Sequence, residues 1–553
     1  CREAFKDVPI IAGGVEVSMR RLAHFDYWHE KVRRSLILDA RADLVVYGMG
    51  ERPLVDVLER MAAGTPIPEI RDIPGTAYAI GKHGRPHFFP EAEFQVGTPW
   101  FEQADSLLER MRPQTGKELH PGDAVLELPS YDEVKGADDH SKGRFARAQH
   151  IFHREHNPDR APILLQRHGD QTVVINPPAH PLSTEELDAV FALPYNKAPH
   201  PSYGGEAIPA FEMVRFSITV MRGCFGGCTF CAITEHQGKR ISSRSPENVK
   251  QEVEDLKRLE GYTGVISDLG GPTANMYRMR CSRPEIESRC RRPSCVHPTV
   301  CRLLDTDHAP IKNLMREVRE ADGVKKVLIA SGVRMDLATL DPEYIEELAT
   351  HHVGGHLKVA PEHVDDETLY LMKKPGMDVY LDFEKQFDQA SRKAGKEQYL
   401  VPYLMSSHPG CDMKGAVDVA EFLKARNLKP QQVQDFIPTP GTPATCMWWT
   451  GIDPHTMNPV HVTTKMRDKR KQKALLQHWK PENETLVREA LVDAGRADLI
   501  GDGQDALAPN GGGVRHARPH AGGAGRGGAG RSDARRGQKP GRGGSGRGGR
   551  RRG

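Results

Sequence analysis

The sequence predicts an α/β protein with a barrel or part-barrel at its centre. Six strand-like apolar runs alternate with five helix-like runs between residues 211 and 437, which is the spacing of repeated β–α units. A shorter α/β pattern precedes them. At 553 residues, with 38% hydrophobic and 27% charged residues, the chain is long enough for several globular domains. We expect an N-terminal α/β domain, the barrel, a small extension and a tail, at residues 1–200, 201–445, 446–510 and 511–553.

The first part of the chain predicts a Rossmann-like layer of strands and helices. Residues 8–14 and 42–48 are short apolar runs that end in glycine, and residues 54–61 place Leu, Val and Met at helical spacing. This alternation favours a parallel sheet. The chain begins at Cys1, inside what the pattern indicates is a helix, so we expect this domain to be incomplete.

Two segments show weaker periodicity. Residues 65–200 are richer in Pro, His and charge, and they predict an irregular extension with strands near 77–80 and 171–175. Residues 446–510 carry a mixed helical signal, strongest at 465–479 and 484–494.

The central region predicts the six strands directly. They are expected at residues 216–220, 264–269, 326–330, 356–360, 398–404 and 432–437. The crossover helices are expected at residues 245–259, 310–320, 341–350, 377–394 and 414–426. Pro246 is the first residue of the first helix. The backbone N–H at this position has no partner within a helix, so proline loses no hydrogen bond there.

Three cysteines follow the first of these strands. Cys224, Cys228 and Cys231 form a C-x3-C-x2-C pattern in a glycine-rich loop. Thiolates are the ligands of iron–sulfur clusters, and glycines let backbone N–H groups approach the sulfides. Three thiolates hold a cubane by three irons and leave the fourth open for chemistry. The alternatives are a zinc knuckle or unrelated thiols.

This motif and six other stretches resemble a known family. The C-x3-C-x2-C loop after a first barrel strand is similar to the radical S-adenosylmethionine (SAM) superfamily, and nearly the whole chain resembles the YgiQ-type radical SAM proteins. The supporting stretches are residues 12–16, 39–44, 268–277, 358–363, 406–411 and 438–442.

The resemblance implies a partial (β/α)6 barrel and a reaction. SAM would chelate the open iron of a [4Fe-4S] cluster, and reductive cleavage would give a 5′-deoxyadenosyl radical that abstracts hydrogen from an unidentified substrate. The electron would come from a reductant such as flavodoxin or ferredoxin. An RNA-modifying radical SAM enzyme and a non-catalytic iron–sulfur or zinc protein are the alternative functions.

The resemblance also implies SAM-binding residues. The family's Gly-Gly-Glu motif on the second strand corresponds to Gly270-Gly271-Pro272, which lacks the acidic residue. Superfamily members also contact SAM from the fourth and fifth strands, whose ends carry Lys358, Glu362, Ser407 and His408. Each of these side chains has a purely structural role as its alternative.

A second group of cysteines lies in an arginine-rich loop. Their spacing matches no common zinc finger, but four thiolates can close a zinc site or hold an auxiliary iron–sulfur cluster. Free thiols are the alternative, and the arginines are suited to an anionic substrate. The four residues are Cys281, Cys290, Cys295 and Cys301.

The N-terminal domain also loosely resembles the cobalamin-binding domains of some radical SAM enzymes, mainly in the turn at residues 48–51. The histidine motif that would ligate cobalamin would precede residue 1, so the sequence does not test cobalamin binding. A structural domain without a cofactor is the simpler interpretation.

Charge and composition set apart the end of the chain. Residues 511–553 carry eleven Arg and Lys539 against Asp533, a net charge of +11, so the preceding residues carry −8 of the total of +3. This Gly- and Arg-rich segment predicts a disordered tail. Such segments bind RNA through charge and stacking, and a solvated tail without a partner is the alternative.

Cysteine usage and hydropathy indicate the compartment. The chain has no run of about 18 apolar residues, which predicts no membrane span. Clustered cysteines without a secretory signal favour metal ligands over disulfides and a cytoplasmic location.

Overall fold

The computed structural model describes residues 1–90, 92, 94–113 and 120–510. Cys1–Pro509 forms one compact unit. The predicted disordered tail and its RNA contact fall in residues 511–553, outside the described residues. No helix in the described part of the chain has both the length and the apolarity to cross a bilayer.

The N-terminal region is built on a six-stranded sheet with the order β1-β4-β5-β8-β7-β6 among the described residues. Its strands are β1 (Ile11–Ala12), β4 (Leu44–Val46), β5 (Thr76–Gly81), β6 (Val125–Glu127), β7 (Ile163–His168) and β8 (Gln171–Ile175), and β2 (His24–Asp26) and β3 (Lys31–Arg33) form a separate hairpin. The helices are α1 (Val15–Met19), α2 (Leu36–Asp39), α3 (Glu51–Ala62), α4 (Trp100–Gln103), α5 (Asp105–Met111), α6 (Tyr131–Val134), α7 (Asp139–Arg154) and α8 (Thr184–Phe191).

This sheet corrects three expectations. It is mixed rather than parallel, because β5, β7 and β8 pair antiparallel and only β1–β4 and β6–β7 pair parallel. Residues 65–200 are not an irregular extension, since they supply four of the six strands. Residues 1–10 form turns rather than a helix.

Both faces of the sheet are buried. Val173 and Val174 are fully buried although successive strand residues point to opposite faces, and they belong to two different hydrophobic clusters. The same holds for Leu164 and Leu165. Near-continuous apolar runs of this kind explain why the strands lack a polar alternation in the sequence.

The central region forms the predicted open barrel. Its strands are β9 (Ser217–Thr219), β12 (Val265–Ile266), β13 (Asp268–Gly270), β14 (Lys326–Val327), β15 (His356–Glu362), β16 (Tyr399–Ser406) and β17 (Gln434–Asp435), with the short pair β10 (Met221–Arg222) and β11 (Ser242–Ser243) beside β9. The pairings β9–β13, β12–β14, β15–β16 and β16–β17 are all parallel. β12 and β13 are one predicted strand interrupted at Ser267, so the partial (β/α)6 arrangement is confirmed.

The five predicted crossover helices are present. They are α11 (Pro246–Leu256), α13 (Ala309–Arg319), α15 (Pro342–Glu347), α17 (Met377–Lys393) and α18 (Met413–Ala425); shorter helices are α9 (Pro209–Val214), α10 (Ala232–Gln237), α12 (Pro284–Glu287), α14 (Met335–Ala338) and α16 (Asp366–Met372). The Ser245 side chain caps α11 by accepting a hydrogen bond of 3.1 Å from the Asn248 N–H. Val249, Val253 and Leu256 recur at helical spacing and pack on the strands.

Three helices follow the barrel: α19 (Pro443–Thr450), α20 (Met466–Leu476) and α21 (Glu484–Asp493). Leu475 and Leu491 pack on Val417 of α18, and all three side chains are fully buried. The ring of Trp449 in α19 stacks on Phe25 of the N-terminal hairpin with 4.6 Å between centroids. The extension therefore contacts both the barrel and the N-terminal region.

Candidate active site

The loop with the first three cysteines, residues 222–231, leaves the barrel after β10 and ends at the start of α10. Cys231 is the N-cap of α10, and its sulfur accepts a hydrogen bond from the Ile233 N–H at 3.5 Å. Gly227 has φ of 66°, and a Cβ at this position would lie 2.5 Å from the Pro293 carbonyl oxygen. Only glycine meets both conditions, so the loop conformation explains this residue.

The three thiols lie close enough to influence one another. Burial and then the neighbouring Cys228 thiol raise the pKa of Cys224, and the same causes raise the pKa of Cys231 to about 12. Cys224 and Cys231 are therefore neutral thiols before a metal binds. Metal binding by such a site releases protons, because the ligand is the thiolate.

Arg334 lies beside this group of thiols. Its Nη1 donates toward the Cys228 sulfur at 3.6 Å, and its Nε donates to Asp336 Oδ1 at 3.0 Å. Burial lowers the pKa of Arg334, but the Asp336 carboxylate and the two nearby thiols outweigh burial and hold that pKa above its ordinary value. A permanently charged guanidinium therefore faces the sulfurs, where it offsets the charge of thiolates.

The end of the second strand holds Arg334 in place. Asn275 is fully buried; its Nδ2 donates to the Arg334 carbonyl at 3.0 Å and its Oδ1 accepts from the Arg334 N–H at 2.8 Å. Thr273 Oγ1 lies 3.7 Å from the Cys224 sulfur. The segment after β13 thus contacts the cysteine loop both directly and through Arg334.

Neither group of thiols forms a site for a single ion. Among the described residues, no three His, Cys, Asp or Glu side chains are arranged to hold a metal ion. A cubane differs from a single ion because each thiolate binds a different iron, so its three sulfurs surround a volume instead of meeting at a point. The donor set of Cys224, Cys228 and Cys231, with a cation beside it, fits such a cluster.

A cavity of about 400 Å³ opens beside the cysteine loop. Phe230 from that loop, Met405 of β16 and Phe436 after β17 form apolar walls, and Gln434 and Asp435 add polar groups. Its size is that of a small-molecule site. It lies at the carboxyl ends of the strands, where barrel enzymes bind their ligands.

Comparison with known proteins identifies the family. Residues 1–217 match the family description "Radical SAM N-terminal", residues 218–392 match "Radical SAM superfamily", and residues 431–551 match a domain of unknown function (DUF3362). The UPF0313 protein YgiQ of Escherichia coli (strain K12) is 47% identical over 539 residues, covering 92% of this chain and 72% of the relative. The UPF0313 protein RPA0679 of Rhodopseudomonas palustris is 47% identical over 516 residues, covering 92% and 73%. The chain belongs to the UPF0313 family of YgiQ-type radical SAM proteins.

As a radical SAM protein, the chain has a [4Fe-4S] cluster and SAM as its cofactors. Two solved structures show a more distant likeness. TsrM from Kitasatospora setae, a radical SAM methyltransferase with cobalamin and a [4Fe-4S] cluster bound, is 15% identical with a TM-score of 0.40, over 80% of this chain and 59% of that one. OxsB, a cobalamin-dependent SAM radical enzyme, is 10% identical with a TM-score of 0.40, over 90% and 60%. Neither likeness assigns a ligand to this chain.

The predicted SAM residues of the second strand are tightly packed. A Cβ on Gly270 would lie 2.6 Å from Ser331 Oγ, and one on Gly271 would lie 2.8 Å from the Met221 carbonyl oxygen. Packing alone therefore requires glycine at both positions, and contact with SAM stays a prediction.

The four other predicted SAM residues have different surroundings. Glu362 lies at an irregularity of β15, and burial raises the pKa of its carboxyl although Lys374 opposes that shift. The buried Ser407 hydroxyl has no hydrogen-bond partner within the described residues. His408 is fully buried with its ring against Phe230, and burial lowers its pKa to about 3, so it supports the cysteine loop as a neutral group. Lys358 lies further down β15 and is exposed.

Sequence reasoning missed Arg334, Asn275 and the cavity walls. Arg334 lies 106 residues after Cys228, and spacing does not reveal such a contact. Its position in the sequence could have identified Arg334 as a site residue, because it follows the third strand and Asp336 stands two residues later.

Proposed function

We propose that this protein cleaves SAM reductively at a [4Fe-4S] cluster on Cys224, Cys228 and Cys231, and uses the resulting radical on a substrate held inside the open barrel. The observation that carries the proposal is the placement of three thiols, the Arg334 cation and the Phe230 cavity at one end of the barrel. When reduced, a cluster held by Cys224, Cys228 and Cys231 would supply the electron that splits SAM into methionine and a 5′-deoxyadenosyl radical. A flavodoxin or ferredoxin is the proposed electron donor.

The cavity walls are suited to the adenine of SAM. Phe230 and Phe436 offer aromatic faces for a planar base, and Met405 adds an adaptable apolar contact. Ser406 Oγ donates to Asp435 Oδ1 at 3.1 Å, which orients that carboxylate at the polar edge. A buried face with a fixed polar edge orients a nucleoside in one direction.

Two groups are suited to the methionine end of SAM. The family position that usually carries an acid is Pro272, so a backbone carbonyl or another side chain has to meet the amino group. Glu362 is the half-buried carboxylate at the carboxyl end of β15, and Lys374 lies near it. The buried Ser407 hydroxyl can donate to a carboxylate. We assign the amino group to Glu362 and the carboxylate to Ser407.

The inner face of the barrel is suited to the substrate. Leu357 and Val359 of β15 pack outward on the helices, so the alternate residue Lys358 faces inward. On β16, Leu400 packs outward against the same hydrophobic cluster. Val401 and Tyr403 lie on the opposite face of this strand, and each is 37% exposed. Lys358 Nζ lies 6.0 Å from the centre of the Tyr403 ring. An aromatic surface beside a lysine favours a substrate with both an apolar and an anionic part.

The test is anaerobic reconstitution with iron and sulfide, reduction, and detection of 5′-deoxyadenosine from SAM. We expect wild type to form 5′-deoxyadenosine and Cys228→Ala to form none above background. The exposed Cys1→Ala is the matched control and should behave as wild type. A wild-type chain that carries a [4Fe-4S] cluster but leaves SAM intact would reject the proposal.

A further inference from the structure

The second group of cysteines lies in a loop that closes on itself. Cys281 and Leu304 form an antiparallel bridge, and the Ser282 N–H donates to the Leu303 carbonyl at 2.7 Å. The 281–304 loop thus begins and ends at the same place, which brings Cys281 near the segment that holds Cys301.

The other cysteines of the 281–304 loop are also brought together. The Cys301 N–H donates to the Cys295 carbonyl at 2.7 Å, and the thiols of Cys290 and Cys301 both act electrostatically on Cys295. Burial raises the pKa of Cys295 to about 11, and Lys239 opposes that shift. All four thiols are half-buried and free of disulfides.

The loop is fixed from two sides. Asn157 of the N-terminal region donates through Nδ2 to the Glu287 carbonyl at 2.8 Å and to the Cys290 carbonyl at 3.1 Å. On the other side the Cys295 N–H donates to the Phe225 carbonyl at 3.0 Å, one residue after Cys224. The loop therefore packs directly on the first cysteine loop.

A lysine accompanies these thiols, as Arg334 accompanies the first group. Lys239 Nζ lies 3.6 Å from the Cys290 sulfur and donates to the Arg292 carbonyl at 2.8 Å. A fixed cation beside the sulfurs favours thiolates and offsets the negative charge of a thiolate-bound cluster.

We propose that Cys281, Cys290, Cys295 and Cys301 hold a second iron–sulfur cluster, adjacent to the first. Iron is favoured over zinc because zinc needs ligands that meet at one tetrahedral centre. The four thiols, all in the described part of the chain, form no such centre. Cys290 and Cys301 nevertheless lie close enough to Cys295 to act on it electrostatically, which suits a cluster whose irons each bind a different thiolate. Each thiol loses its proton as it binds iron, and iron and sulfide come from solution.

The experiment counts iron and acid-labile sulfide in the 553-residue chain after anaerobic reconstitution. With four irons per cubane, we expect about eight irons per wild-type chain, about four in Cys228→Ala, about four in Cys295→Ser, and almost none in the double variant. Electron paramagnetic resonance after reduction should show a different remaining signal in each single variant. Cys290→Ser serves if Cys295→Ser does not fold, and Cys1→Ser is the control.

Three results would overturn the second cluster: about four irons in both wild type and Cys295→Ser, one zinc per chain that Cys295→Ser removes, or a disulfide within the loop by mass spectrometry. Assaying 5′-deoxyadenosine in the same samples separates the two proposals. A wild-type chain with eight irons and no SAM cleavage would reject the proposed function and leave the second cluster standing.

Discussion

The two cysteine loops bring their thiols together in different ways. The first spans eight residues, from Cys224 to Cys231, and takes its shape from glycines and from the strand before it. The 281–304 loop is three times as long and takes its shape from an end-to-end bridge and from Asn157. Each group of thiols has a cation at 3.6 Å from one sulfur. The spacing of its cysteines therefore identifies the short loop in the sequence. The four cysteines of the long loop are brought near one another only in the folded structure.

The largest expected loss of stability follows from removing the cation beside the first cysteine loop. Arg334 is buried with Asp336, so Arg334→Ala leaves a buried carboxylate unpaired and should cost about 3–5 kcal/mol of unfolding free energy. Urea denaturation measures this cost. Arg392→Ala, which removes a largely exposed ion pair with Asp388, is the control and should cost less than about 1 kcal/mol.

The double variant Arg334→Met/Asp336→Leu separates charge from stability. It removes both ions together, so it should unfold near the wild-type urea concentration. We expect it to lose iron from the first loop only, because the neighbouring cation is gone there. Arg334→Ala with wild-type stability would contradict the assignment of a buried pair.

The contact between the loops gives the next effect. Gly227→Ala forces a side chain against the Pro293 carbonyl at positive φ and should cost about 1–3 kcal/mol. Iron content should fall in both loops, because the change separates them. Gly355→Ala is the control, since its φ is not positive and an added Cβ would meet nothing within 4 Å. Equal losses in the two variants would refute the close contact.

Phe230 tests a property that only the first loop has. Phe230→Ala removes an aromatic wall of the cavity, and loss of base stacking of about 1–3 kcal/mol weakens SAM binding roughly 5- to 150-fold. Equilibrium binding of SAM to the reconstituted protein measures this effect, and iron content should not change. Tyr399→Ala, outside the cavity lining, should leave SAM affinity unaltered. An unaltered SAM affinity in Phe230→Ala would show that the adenine does not bind against Phe230.

The smallest effect is expected at Lys239. This side chain is only half-buried, so Lys239→Ala should cost no more than about 1 kcal/mol. We expect the 281–304 loop to lose iron to a chelator roughly fivefold faster, which is what 1 kcal/mol corresponds to, while the first loop is unaffected. Lys239→Arg should restore the slow rate. Faster loss from the first loop instead would place Lys239 with the wrong group of thiols.

The sequence predicted the barrel well because its signals are local. Each strand and crossover helix is a separate run with its own period, and Ser245-Pro246 marks a helix start that the structure confirms. The N-terminal sheet was predicted less well. Strand β5 pairs with β8, which lies far along the chain, and burial of both faces removes the alternation that identifies a strand.

The candidate site divides in the same way. The three cysteines of the first loop were predicted from spacing, and the UPF0313 membership of the chain supports that prediction. Arg334, Asn275 and Lys239 reach the thiols from other segments, so only the folded chain brings them there. His408 lies fully buried against Phe230, and its contact with SAM stays a prediction.

The hydrogen bonds from Asn157 to the Glu287 and Cys290 carbonyls join two segments of the chain that are synthesised at different times. Synthesis proceeds from the N-terminus, and N-terminal units generally fold first. The Asn157 side-chain amide, which binds the 281–304 loop, therefore belongs to a segment that is synthesised about 130 residues before that loop. The loop that carries Cys290 therefore leaves the ribosome after the residue that holds its carbonyl group has already been synthesised.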